Sequence, residues 1–100
     1  MSGFDYGNKL PDGQHERHPT LPAGARLEFV RPVRTAYRHI GTGCGQVTRM
    51  AQAIAETYAA RPTYYTSTFC RQCQDYFAVG EAGEFVWIEQ DGRDGPKVGT

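Results

Sequence analysis

The sequence predicts a small α+β domain in which a short antiparallel sheet carries one amphipathic helix. Three observations lead there. The chain has 100 residues, enough for one core and no more. An apolar stripe at helical spacing runs through residues 46–60. Short runs rich in β-branched and aromatic residues, separated by glycine and proline, lie on either side of it.

The elements follow in chain order. Residues 1–25 hold four glycines and three prolines among polar side chains and keep neither a helical nor a strand period, so they are expected as a disordered or loosely draped tail. His15 and His18 in that tail have no cysteine near them and are expected as solvated histidines. Residues 26–100 then form the single folded domain. Residues 26–30 (RLEFV) alternate as a short strand that Pro32 limits to an edge, and residues 35–40 (TAYRHI) predict a second strand running into Gly41. In the helix, Val47, Met50, Ala51, Ile54, Ala55 and Tyr58 share one face, and Pro62 ends it. Residues 63–69 (TYYTSTF) predict a strand, 74–79 its partner, and 84–90 (EFVWIEQ) another that ends at the turn signal Asp91–Gly92. Residues 97–100 are left as a brief return strand or a frayed end.

The chemistry-bearing residues form two short pairs. His39 and Cys44 are spaced H-x4-C, Cys70 and Cys73 are spaced C-x2-C, and the predicted helix lies between the pairs. Two close pairs joined by a longer connection is how a tetrahedral structural zinc site is assembled, and each pair falls on a turn. All three cysteines of the chain are used. Gly43 and Gly45 flank Cys44 and leave its sulfur open to backbone N–H donors. A redox pair at Cys70 and Cys73, or three buried thiols without a metal, are the competing readings. The redox reading suffers because such a motif opens a helix after a strand, whereas this turn lies between strands. Four protein ligands close the metal shell, and the H-x-E and P-C-x-x-C signatures of a zinc deaminase are absent. The sequence therefore predicts Zn2+ in a structural role, a zinc-ribbon-like fold stapled by it, and no enzymatic activity. The odd cysteine count and the lack of an apolar N-terminal segment point to a reducing, cytoplasmic setting without a membrane span.

Net charge is zero, from 11 basic and 11 acidic side chains. That argues against a surface built wholly for nucleic acid. The charges are nevertheless segregated. Arg26, Arg31, Arg34, Arg38 and Arg49 stand in residues 26–49 against Glu28 alone, and residues 75–95 carry six carboxylates against Arg93 alone. Either the two segments pair with each other or are simply solvated, or the arginines form a stripe that binds nucleic acid, with Tyr37, Tyr64, Tyr65 and Tyr76 available to stack on bases. Clustering of the arginines on one face would favour nucleic acid. Their dispersion, with an exposed apolar patch around Phe85 and Trp87, would favour a protein partner. The expectation is a non-enzymatic interaction module with a protein partner, and a small nucleic-acid-binding zinc ribbon is the alternative.

From Tyr37 to Trp87, the run RHIGTGCG, the helix, TFCRQC, the YFAV segment and EFVW resemble small zinc-ribbon-like proteins encoded by phages and mobile elements. The resemblance covers roughly half to two thirds of the chain. It implies that His39, Cys44, Cys70 and Cys73 bind zinc and that the compartment is the host cytoplasm; a host or defence protein is the partner expected of the interaction module. The resemblance implies no activity.

Overall fold

Tyr37 and His39 alternate with Ala36 and Arg38 in the first strand, and that alternation decides which face of the main sheet is the core. The structure, a computed structural model, describes residues 6–100. Its elements are α1 (Ala23–Arg26), β1 (Ala36–His39), β2 (Val47–Arg49), α2 (Gln52–Ala60), β3 (Ser67–Cys70), β4 (Asp75–Ala78), β5 (Phe85–Ile88) and β6 (Asp94–Lys97). They form a four-stranded antiparallel sheet of order β2-β1-β5-β6 and a separate antiparallel pair, β3-β4. Among the described residues no helix is long and apolar enough to cross a membrane.

The register places Tyr37 opposite Trp87 and His39 opposite Phe85. These side chains meet Tyr58 of α2 and Cys70 of β3, so one aromatic core joins both sheets to the helix. Tyr58 stands edge-on to Trp87, with ring centroids 5.4 Å apart, and tilted against Tyr65 at 4.7 Å. The Tyr37 hydroxyl donates to the Phe69 carbonyl and so ties β1 to β3.

The predicted helix over 46–60 is corrected at its N-terminal end. Val47, Thr48 and Arg49 form β2, and α2 begins only at Gln52. Gly45, at φ 70°, turns the chain back onto β1, where Val47 pairs with Arg38 and Arg49 with Ala36. Thr48 then faces inward while Val47 and Arg49 face outward, the reverse of what the helical stripe required. Two β-branched residues beside a ready partner strand outweigh a periodicity shared with the following turns. The helix ends as expected before Pro62, where the Arg61 N–H bonds the Thr57 carbonyl at 2.8 Å.

Residues 26–30 are also corrected. They pair with no strand; Arg26 closes α1, and the N–H groups of Val30 and Arg31 both reach the Ala59 carbonyl at the end of α2. Leu27 and Val30 are left 64% and 61% exposed. The return strand lies earlier than expected, at Asp94–Lys97, and is followed by a fully buried Val98.

Part of the expected tail, residues 1–5, lies outside the described residues. Residues 6–25 lie against the body. A short bridge joins Lys9 to His15, the His15 N–H bonds the Tyr76 hydroxyl at 3.0 Å, and the Tyr65 hydroxyl donates to the Pro19 carbonyl. Leu21 is buried, and its N–H bonds Thr57 Oγ1, whose hydroxyl in turn donates to the Ala53 carbonyl. The contacts come from single polar anchors rather than from any period, which is why the pattern of the sequence does not announce them.

Candidate metal centre

The loop from β1 to β2 and the turn from β3 to β4 carry the four candidate ligands. Each folds as it does for a local reason. In the first, the Cys44 N–H bonds the Gly41 carbonyl and the Gly45 N–H returns to the His39 carbonyl, while Thr42, Gly43 and Gly45 take positive φ. In the second, the Gln74 N–H closes onto the Cys70 carbonyl at 2.8 Å, and Gln74 itself sits at φ 57°. The Cys73 N–H points at Cys70 Sγ from 3.4 Å.

These two turns bring together one ligand atom from each of His39, Cys44, Cys70 and Cys73, all within 4.8 Å of one another. That is close enough to hold one metal ion. Two of the spacings can be set beside those of a tetrahedral zinc site. Around a tetrahedral zinc, with Zn–S near 2.3 Å and Zn–N near 2.0–2.1 Å, two sulfurs stand about 3.8 Å apart and a sulfur and a nitrogen about 3.5 Å. Here Cys44 Sγ and Cys70 Sγ are 3.7 Å apart, and Cys73 Sγ and His39 Nδ1 are 3.5 Å apart. No disulfide joins the cysteines.

His39 is held on every side. Its ring is fully buried between Phe77 and Phe85, with centroids 4.5 and 4.7 Å away. Nδ1 faces the sulfurs, and Nε2 lies 2.9 Å from Glu84 Oε1. A carboxylate on the far nitrogen fixes the ring and the tautomer and makes Nδ1 the better donor to a metal. Glu84 reaches this place over Gly41, where an added Cβ would lie 2.1 Å from Glu84 Oε1. The four ligands are those predicted; Glu84 was not. Its only trace in the sequence is that it opens the strand facing His39, a register that depends on the fold.

The thiols differ in their readiness to ionise. The Gln46 backbone N–H at Cys44 brings this thiol down to about 7 against the cost of desolvation, helped by His39 and the other sulfurs. Cys73 is pushed up to about 11, first by desolvation and then by the sulfurs of Cys70 and Cys44. A metal ion would supply the positive charge that three crowded thiolates need.

The five arginines are not brought together. Arg26 pairs with Glu56 at 3.1 Å, Arg34 grips Glu89 through two bonds of 2.6 and 3.1 Å, and Arg38 pairs with Asp94 at 3.0 Å. The basic segment thus meets the acidic one directly at Glu89 and Asp94. Arg31 bonds the Thr100 and Val30 carbonyls, and Arg49 has no ion pair among the described residues. The expected apolar patch at Phe85 and Trp87 is corrected too, since both are buried beneath the sheet. His15 and His18 lie outside the metal cluster. They are half-buried rather than solvated, with His15 packed between Tyr6 and Tyr76. Comparison of the chain with models of protein families, with curated proteins and with solved structures finds no match.

Proposed function

We propose that this protein is a small non-enzymatic binding module whose fold is stapled by one structural zinc ion on His39 Nδ1 and the sulfurs of Cys44, Cys70 and Cys73. The observation that carries this reading is the gathering of one ligand atom from each of the four residues within 4.8 Å, with two of the separations, 3.7 and 3.5 Å, near the edges of a zinc tetrahedron. The donor set supports it, since three thiolates and one imidazole suit zinc and fill all four positions. Glu84, the carboxylate nearest the cluster, is engaged in holding His39 and so acts as a positioning residue.

A protein is the favoured partner over nucleic acid. Arg26, Arg34 and Arg38 are neutralised by carboxylates of the same chain, which removes most of a phosphate-binding stripe. Leu27, Phe29 and Val30 present exposed apolar area close together in the chain. That partner would be a host or defence protein, met in the host cytoplasm that the resemblance noted above implies. Two measurements test the reading together. Elemental analysis is expected to find one zinc per chain, and capture of a protein from host lysate is expected to survive nuclease treatment and moderate salt. Zinc-free folded protein would overturn the staple, and capture abolished by nuclease would overturn the choice of partner.

A further inference from the structure

We infer that the cleft between β2 and β3 is a binding site for a small anion bearing a planar ring, the chemistry of a nucleoside phosphate. The cleft has a volume of about 720 Å³ and is walled by β2, the start of α2, β3, the turn after it and residues 6–19. That volume lies within the range of sites that take small organic ligands.

Three features define the ligand. The first is charge. Arg49 and Arg71 both line the cleft, both are exposed, and neither has an ion pair among the described residues. The Arg71 N–H bonds Thr48 Oγ1 at 3.1 Å, which sets the two arginines on neighbouring backbone at one end. Asp12 is the single carboxylate of the lining, and the two bonds it accepts from Gln14 hold it ionised. Two unpaired guanidinium groups against one carboxylate leave the cleft with an excess of positive charge, and their forked donors match phosphate. The second is ring chemistry. Tyr64, an exposed ring, lines the same space beside the stacked pair of His15 and Tyr76, and planar ligands stack on an open aromatic face whatever their substituents. The third is the Tyr58 hydroxyl. Tyr58 is 3% exposed and lines the cleft, and its hydroxyl makes no hydrogen bond of good geometry among the described residues, its one polar interaction being a weak one with Thr68. Burial raises its pKa, so it stays a neutral donor. A buried hydroxyl so poorly partnered is costly in a free protein, and a ligand seated in the cleft would complete it.

The test uses the zinc-loaded full chain, with zinc content verified in the same sample, so that failure of this site is separable from failure of the metal centre. Calorimetric titration and amide chemical shifts are followed with uridine monophosphate and adenosine monophosphate, with the two parent nucleosides, and with a short oligothymidylate. At least one monophosphate is expected to bind, with its nucleoside about tenfold weaker or more. Arg49→Ala and Arg71→Ala are each expected to weaken binding by about tenfold. Tyr58→Phe is expected to weaken it severalfold while melting no lower than the parent, because only a poorly partnered hydroxyl is removed. Tighter binding of the oligothymidylate than of the monophosphate makes the source a single strand, and equal or weaker binding makes it a free nucleotide. Failure of both monophosphates to bind, equal binding of nucleoside and nucleotide, or parent-like binding by the variant lacking both arginines would overturn the proposal.

Discussion

Glu84 is the residue on which the order of the metal centre turns. It holds Nε2 of a fully buried His39, and it reaches there because Gly41 has no side chain. Substitution of such an outer partner costs about 10–100-fold in metal affinity, so Glu84→Ala should weaken zinc binding by that factor in a chelator competition. Gly41→Ala should act in the same direction by displacing the carboxylate, and parent-like affinity in both would remove Glu84 from the site. Thr42 offers the opposite test. It is a β-branched residue at φ 55° and exposed in the loop, a conformation that glycine accepts without strain. Thr42→Gly should raise stability by about 0.5–1 kcal/mol, read from denaturant midpoints, since relief of the strain exceeds the entropy that glycine adds to the unfolded chain. The thiols supply a pH prediction. With Cys73 raised to about 11, its proton is bound at neutral pH in the metal-free chain and must leave when zinc enters. Zinc uptake at neutral pH should therefore release protons, and affinity should fall as pH falls. Calorimetry in buffers of different ionisation enthalpy checks the sign.

At the scale of elements, α2 starts without help. Its N-cap is Ala51, in the extended conformation that a cap adopts but with no side-chain acceptor for the first N–H groups. Ala51→Ser should stabilise the protein by about 0.5–1 kcal/mol in thermal unfolding. This late start is also where the sequence misleads. Val47 and Met50 fall in phase with Ile54 and Tyr58, but phase alone does not say where the chain changes direction, and Gly45 turns it so that β1 claims residues 47–49 first. The strands after the helix are legible because each is short, aromatic and bounded by turns: β4 and β5 fall inside the predicted runs, and β3 runs one residue past its own, to Cys70. Residues 26–30 alternate as well, yet alternation needs a neighbour with free backbone groups, and the chain there crosses the end of α2 instead. The four residues of the candidate metal cluster are legible because a metal site restricts residue type and spacing more tightly than packing does. Glu84 is not, because its role depends on the register of β5 on β1.

For the whole molecule the question is what holds so small a chain together. Most of the core is aromatic, and several of its members, Tyr37, Phe85 and Cys70 among them, lie at or beside the metal ligands. The ligands come from both sheets: His39 and Cys44 from the β1–β2 hairpin, Cys70 and Cys73 from the turn of β3 and β4. A zinc ion between them would therefore join the two sheets, and structural zinc can contribute about 10–16 kcal/mol to folding. The net stability of a small domain is only about 5–15 kcal/mol, so a contribution of that size would decide whether the chain folds. Cys73→Ser, or a strong chelator, should accordingly unfold the body, while His15→Ala should leave it folded; far-UV and near-UV circular dichroism reads both. The central claim, a closed zinc tetrahedron, is tested most directly by zinc X-ray absorption on the protein as purified. It should report three sulfurs near 2.3 Å and one nitrogen near 2.0–2.1 Å around a single zinc per chain. A shell that contains a water oxygen, fewer than three sulfurs, or no zinc would contradict it.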